Sequence, residues 1–169
     1  MTRQASKRRD GPGFLIRDIK AGDLDYLAEN LRASDRAELA AASGHNDFLS
    51  RLSYSVDLSE AVKVVEAEGV PVLIFGYAPF GPDTKAVWCV GTKRVQRFTR
   101  DLVERSRRII REWFDGNPAV QQLVNVTYAK NVLYHRWLES LGAELFAVQP
   151  LGHSGALFRP FIIRRGSHV

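Results

Sequence analysis

One cysteine in 169 residues, Cys89, leaves no partner for an internal disulfide. Nothing covalent beyond the backbone ties the chain together, as expected for a protein of a reducing compartment. The four histidines, His45, His135, His153 and His168, have no metal-ligand spacing, and a single thiol cannot complete a zinc or iron set with them. Long apolar runs are missing too: none approaches the ~18–20 residues of a membrane span. The basic beginning of the sequence is not followed by an apolar segment, which argues against a secretory leader. There is no internal repeat, no Walker glycine loop and no Ser-His-Asp order, so the common signatures of nucleotide hydrolysis and serine catalysis are absent.

What is present is an ordinary globular composition, 45% hydrophobic and 25% charged, with length for one domain and a full core. The net charge of +5 is uneven: residues 1–12 carry +3, residues 93–115 carry +4, and the remainder is near −2. A basic tail and one basic helix suit phosphates, nucleic acid or an acidic protein surface; a solvated tail and helix face fit equally well. Gly11-Pro12-Gly13 separates a basic arm, 1–13, from a single domain, 14–169.

Hydrophobic period sets the expected elements. Residues 14–19 alternate as a strand. Asp23 and Ser34 are expected N-caps for two helices, the second alanine-rich and stopped by Gly44. A third helix is expected over 47–56. The runs 61–67 and 70–77 flank Glu68-Gly69 and predict a hairpin. Residues 86–90 are apolar on both faces, as a central strand is. One long helix follows immediately, with Val95, Phe98, Leu102, Ile109 and Trp113 as its buried stripe and Gly116-Asn117-Pro118 as its end. A strand over 123–128, an Asn131-capped helix ending at Gly142, and strands over 144–148 and 157–163 complete the chain. This order predicts a mixed α/β sheet with helices on both faces.

The order resembles the GNAT (Gcn5-related N-acetyltransferase) fold, and NVLYHRWLESLGA (131–143) resembles its late Asn-capped helix. DLDYLAENLRASDRAELAAASG (23–44), GVPVLIFGYAP (69–79) and VWCVGT (87–92) are similar to a GNAT-like family of short-tailed bacteriophages, whose members are internal virion or assembly proteins, or acetyltransferases. The resemblance implies a mainly antiparallel sheet of six to seven strands. It also implies a virion-associated or assembly protein acting through contacts with other phage proteins, in the virion or the host cytoplasm, as an oligomer within that assembly. The alternative it implies is an acetyl-CoA-dependent N-acetyltransferase of a host or phage amine. The first role needs no cofactor, the second needs acetyl-CoA, and neither needs a metal or a membrane.

By this resemblance, acetyl-CoA would meet the loop Gly91-Thr92-Lys93-Arg94-Val95-Gln96, with Asn131 nearby. Only one glycine of the family's Gln/Arg-x-x-Gly-x-Gly/Ala pattern remains there. The position of the family's acid tyrosine, seven residues past the Asn, is Leu138, which cannot transfer a proton. Tyr134 and Glu66 are the candidate acid and base, and Cys89 is expected as a small core residue. Arg97, Arg100, Arg107, Arg108 and Arg111 form the expected partner-binding face, with weak nucleic-acid contact through the same helix and arm.

Overall fold

A computed structural model describes residues 13–167, so the expected arm, apart from Gly13, lies outside the described residues. The elements are β1 (Phe14–Arg17), α1 (Asp23–Asn30), α2 (Ala33–Ser43), α3 (Phe48–Leu58), β2 (Ala61–Ala67), β3 (Val70–Pro79), β4 (Thr84–Gly91), α4 (Thr99–Gly116), β5 (Gln122–Tyr128), α5 (Val132–Ser140), β6 (Glu144–Leu145) and β7 (Phe158–Arg164). They build one seven-stranded sheet in the order β1-β2-β3-β4-β5-β7-β6. Every pairing is antiparallel except β4 with β5.

Alternation along the central strands sorts side chains to two layers. Val64, Ile74 and Val90 point to one face, where Leu27, Leu31, Phe48 and Leu52 of the first three helices cover them. Val65, Leu73 and Phe75 point to the other, against Phe98, Leu102, Ile109 and Trp113. Tyr134 and Leu138 of α5 pack with Phe161 of β7. The β2–β3 hairpin turns on two residues with positive φ, Glu68 (54°) and Gly69 (80°), the pattern of a type I′ turn.

Several local expectations change. Asp23 is the first residue of α1, not its cap, because its carboxylate is already engaged by Arg17 and by Lys20 N–H. Ser34 and Asn131 do not cap through their side chains either. Asp47 does cap α3, accepting from Ser50 N–H at 3.1 Å. The long basic helix is broken: Lys93–Phe98 is a 3-10 segment, and α4 begins only at Thr99. Here Val95 turns inward and is buried, while Phe98 meets Phe14 edge-on at 4.3 Å. At its other end, α4 is closed by Arg165, whose guanidinium donates to the carbonyls of Phe114, Asn117 and Val120. That supplies partners to carbonyls a helix C-terminus leaves open. The strand expected over 144–148 shortens to Glu144–Leu145, followed by an isolated bridge at Gln149.

Candidate active site

The parallel pair β4–β5 is short, running only from Thr84↔Gln122 to Ala86↔Val124. Beyond Ala86 the strands diverge, and one side chain stands at the apex of the opening. Continued pairing would bring Val126 N–H to Val87 C=O. Instead the Asn125 amide stands between them: its Nδ2 donates to Val87 O at 2.6 Å, and its Oδ1 accepts from Val126 N–H at 2.7 Å. Both backbone groups are satisfied without the strands touching, so the gap carries no unpaired-group penalty at its apex.

Facing this gap is the free edge of β4. Thr92 N–H donates to Val72 O on β3, and hydrogen-bonded positions alternate along an antiparallel ladder. Gly91, Cys89 and Val87 therefore present their backbone groups to the gap. Gly91 N–H is taken by Asp35 Oδ2 at 2.7 Å, and Gly91 C=O by Arg32 N–H at 3.0 Å. Val87 C=O is taken by Asn125. The N–H and C=O of Cys89 are left open to the gap among the described residues.

Two cavities flank it. The one on the α4–α5 side, about 120 Å³, is lined by Leu73, Val95, Thr99, Leu102, Leu133 and Trp137. The one toward α2 and α3, about 170 Å³, is lined by Glu38, Arg51, Leu52, Asn125 and Phe158 among others. Cys89 and Tyr134 line both. Burial pushes the Cys89 thiol up to about 12, so it stays protonated and inert. Burial, with Cys89 and Glu38 nearby, also holds the Tyr134 phenol well above its usual value. Tyr134 is thus a neutral hydroxyl at the junction, stacked on Trp137 at 5.2 Å.

Glu38 is the site's notable charge. One of its oxygens, Oε2, accepts from Asn131 Nδ2 (2.9 Å), Tyr128 N–H (3.1 Å) and Thr127 Oγ1 (3.3 Å). The other oxygen has no hydrogen bond among the described residues, and Glu38 lines the α2–α3 cavity. Burial raises its carboxyl above the usual 4.5, against the three donors that favour the charged form. The folded state therefore holds a proton that the unfolded chain has released, and this group costs stability as pH rises through the window above 4.5. Glu38→Gln keeps an acceptor for the three donors and has no proton to lose. Its stability relative to the parent is expected to increase from about pH 4 to about pH 8, as read by urea melts at both. A difference that shrinks over that range would contradict it.

The expected site residues divide. Tyr134 lies at the gap. Leu138 is buried in the core at 2% exposure. Asn131 is buried at the N-cap position of α5, where its side chain donates to Glu38 and makes no capping hydrogen bond to the helix. Glu66 is on β2, remote from the gap, and bonds Arg17 Nε at 2.5 Å. Gly91 is a packing glycine: a Cβ there would lie 2.8 Å from Val95 Cγ2 and 2.9 Å from Leu73 Cδ1. The loop offers no cluster of free backbone donors. Thr92 N–H goes to Val72 O, Val95 N–H to Thr92 O, and Arg94 N–H to Thr92 Oγ1. What the loop does present is charge, with Lys93 and Arg94 sharing a cleft of about 390 Å³ with Arg36 of α2; Arg94 also bonds Glu68 at 2.7 Å. On α4 and its approach, Arg97, Arg100, Arg108 and Arg111 are exposed, whereas Arg107 clamps Ser140 C=O at the end of α5.

Sequence reasoning missed Arg32, Asp35, Glu38 and Asn125. The legible signals were a polar residue in the middle of an apolar strand, and acidic residues three apart on a helix with little other apolar stripe.

No protein-family model matches the sequence, and no curated protein matches it. Solved structures do. A GNAT-family acetyltransferase from Bacillus anthracis superposes with a TM-score of 0.67 at 15% identity, over 90% of this chain and 95% of that one. AAC(6')-Ib, in complex with paromomycin and acetyl-CoA, gives 0.64 at 16% identity, over 92% and 95%. A GNAT-family acetyltransferase from Streptococcus pneumoniae gives 0.63 at 13% identity, over 90% and 99%. The fold is that of the GNAT acetyltransferases, a mixed seven-stranded sheet with helices on both faces. None of these neighbours is a virion or assembly protein. No helix among the described residues is long and apolar enough to cross a membrane.

Proposed function

We propose that the protein transfers an acyl group from a coenzyme A thioester to an amine at the β4–β5 gap. The observation that carries this reading is the gap itself, wedged apart by Asn125, with the Cys89 backbone open along it and Glu38 and Tyr134 at its walls. Such a donor supplies an activated acyl carbon: the amine nitrogen bonds to it, the carbon–sulfur bond breaks, the nitrogen gives up one proton and the sulfur takes one. Glu38 suits the first proton, since burial raises its basicity and one oxygen is free. Tyr134, neutral at the junction of the two cavities, suits the second. The Cys89 N–H and C=O suit an extended amide-bearing arm, which they would pair as a strand pairs. The loop after β4 cannot cradle a diphosphate with backbone N–H groups, so Lys93, Arg94 and Arg36 hold it by charge.

That last point shapes the test. Calorimetry with acetyl-CoA is expected to show micromolar binding at low salt that weakens as ionic strength rises, because exposed charges are screened. Absence of binding at millimolar acetyl-CoA would overturn the reading. The exposed Arg97, Arg100, Arg108 and Arg111 support a second reading, docking on an acidic partner such as another phage virion or assembly protein, with weak contact to nucleic acid. Charge reversal at Arg100 and Arg108 is then expected to abolish co-purification with virions, and unchanged co-purification would exclude it.

A further inference from the structure

Arg51 of α3 lines the same α2–α3 cavity as Glu38. Its Nε is buried with no hydrogen-bond partner. Among the described residues its guanidinium makes no ion pair, and its one charge-related contact is the ring of Tyr54, 5.7 Å away on its own helix. Arg51 as a whole is half-buried and has no counter-charge, and a buried polar atom such as its Nε is ordinarily hydrogen-bonded in a folded protein. The cavity therefore has a cationic group lacking an anion and a carboxylate oxygen lacking a donor. Most of the remaining lining is apolar, including Leu39, Leu52, Trp88, Phe158 and Phe161.

We infer that this cavity binds a small zwitterion, an amino acid with an apolar side chain, its ammonium on the free Glu38 oxygen and its carboxylate on Arg51. The inference rests on the acyl-transfer reading for what happens next, and it names the amine that would be acylated. Size agrees with it: about 170 Å³ is below the ~300–1,000 Å³ of sites that enclose drug-sized ligands. Charge agrees as well. A plain amine would satisfy Glu38 and leave Arg51 stranded, whereas a carboxylate alone would do the reverse. A planar guanidinium also matches a carboxylate bidentately, which an ammonium cannot.

The test is calorimetry on the full chain without any thioester, using L-leucine, 3-methylbutylamine (the same skeleton without the carboxylate) and 4-methylpentanoate (without the ammonium). Leucine is expected to bind at least about tenfold more tightly than either analogue. Arg51→Met should lower leucine to the level of the amine and leave the amine unchanged. Glu38→Gln should lower leucine to the level of the acid. Arg51→Met removes a half-buried charge that has no ion pair and keeps an apolar stem, so its thermal midpoint is expected to stay close to the parent's, which guards against misfolding as an explanation. Leucine binding no better than 3-methylbutylamine, or an unchanged preference in Arg51→Met, would overturn the inference. Leucine binding without acetyl-CoA binding would overturn acyl transfer and leave the zwitterion site standing. Acetyl-CoA binding without leucine binding would do the opposite.

Discussion

Asn125→Val is expected to weaken acetyl-CoA binding by about a hundredfold, ~3 kcal/mol, while the protein stays folded. The Asn125 side chain makes, through its own amide, the two bonds that β4 and β5 would otherwise make to each other. Valine cannot make either. Val87 C=O and Val126 N–H would then each lack a partner, and leaving such groups buried and unmade costs ~1–3 kcal/mol apiece. Each is the other's natural ladder partner, so the cheapest rearrangement is for the strands to pair one step further. That closes the apex of the gap two residues from Cys89, whose open backbone is the proposed seat of the thioester arm. Folding gains from the added pairing what it loses from the wedge, so the thermal midpoint should move little while the titration heat disappears. Undiminished acetyl-CoA affinity in a folded Asn125→Val protein would show that the gap is not where the donor binds.

The division between what the sequence discloses and what it hides follows from distance along the chain. Strand alternation, the Glu68-Gly69 turn and the buried stripe of α4 are local patterns, and they identified the sheet, its hairpin and the helix on it. The 3-10 segment before α4 was hidden because Val95 and Phe98 keep helical spacing whether or not the backbone is α-helical. Glu38 was hidden for a deeper reason. On an alanine-rich helix an acidic residue normally faces water, and its spacing from Asp35 is a weak signal beside that expectation. Its three donors come from positions 89 to 93 residues later, at the end of β5 and the start of α5. Asn131 reads as a capping side chain for the same reason: its local context is a helix start, but its side chain is claimed by that remote carboxylate. Tyr134 was within reach, because helical spacing from Leu138 alone puts it on the inward face.

Asp35→Ala is expected to be among the most destabilising single changes at the site, costing ~3–5 kcal/mol, the range for removing one member of a buried ion pair. Asp35 is 3% exposed. Its Oδ2 accepts Gly91 N–H and lies 2.9 Å from Arg32 Nε, with Nε out of line for a hydrogen bond. Removing the carboxylate strands a mostly buried guanidinium and a backbone donor together. The pair itself need not be a net gain, because burial raises the Asp35 carboxyl, with Arg32 and Gly91 N–H only partly offsetting it. An apolar substitute for both members should therefore be tolerated where loss of one is not. Arg32→Met with Asp35→Leu is expected to recover all but ~1–3 kcal/mol, the remaining penalty of an unpaired Gly91 N–H. Urea unfolding of the single and double variants measures both. The pair's work is then positional: Arg32 N–H and Asp35 together hold the start of α2 against the end of β4. This fixes the helix that carries Glu38 one turn further on. If Asp35→Ala lost less than about 1 kcal/mol, that anchor would have to lie elsewhere, and Glu38 would owe its position to Thr127, Tyr128 and Asn131 alone.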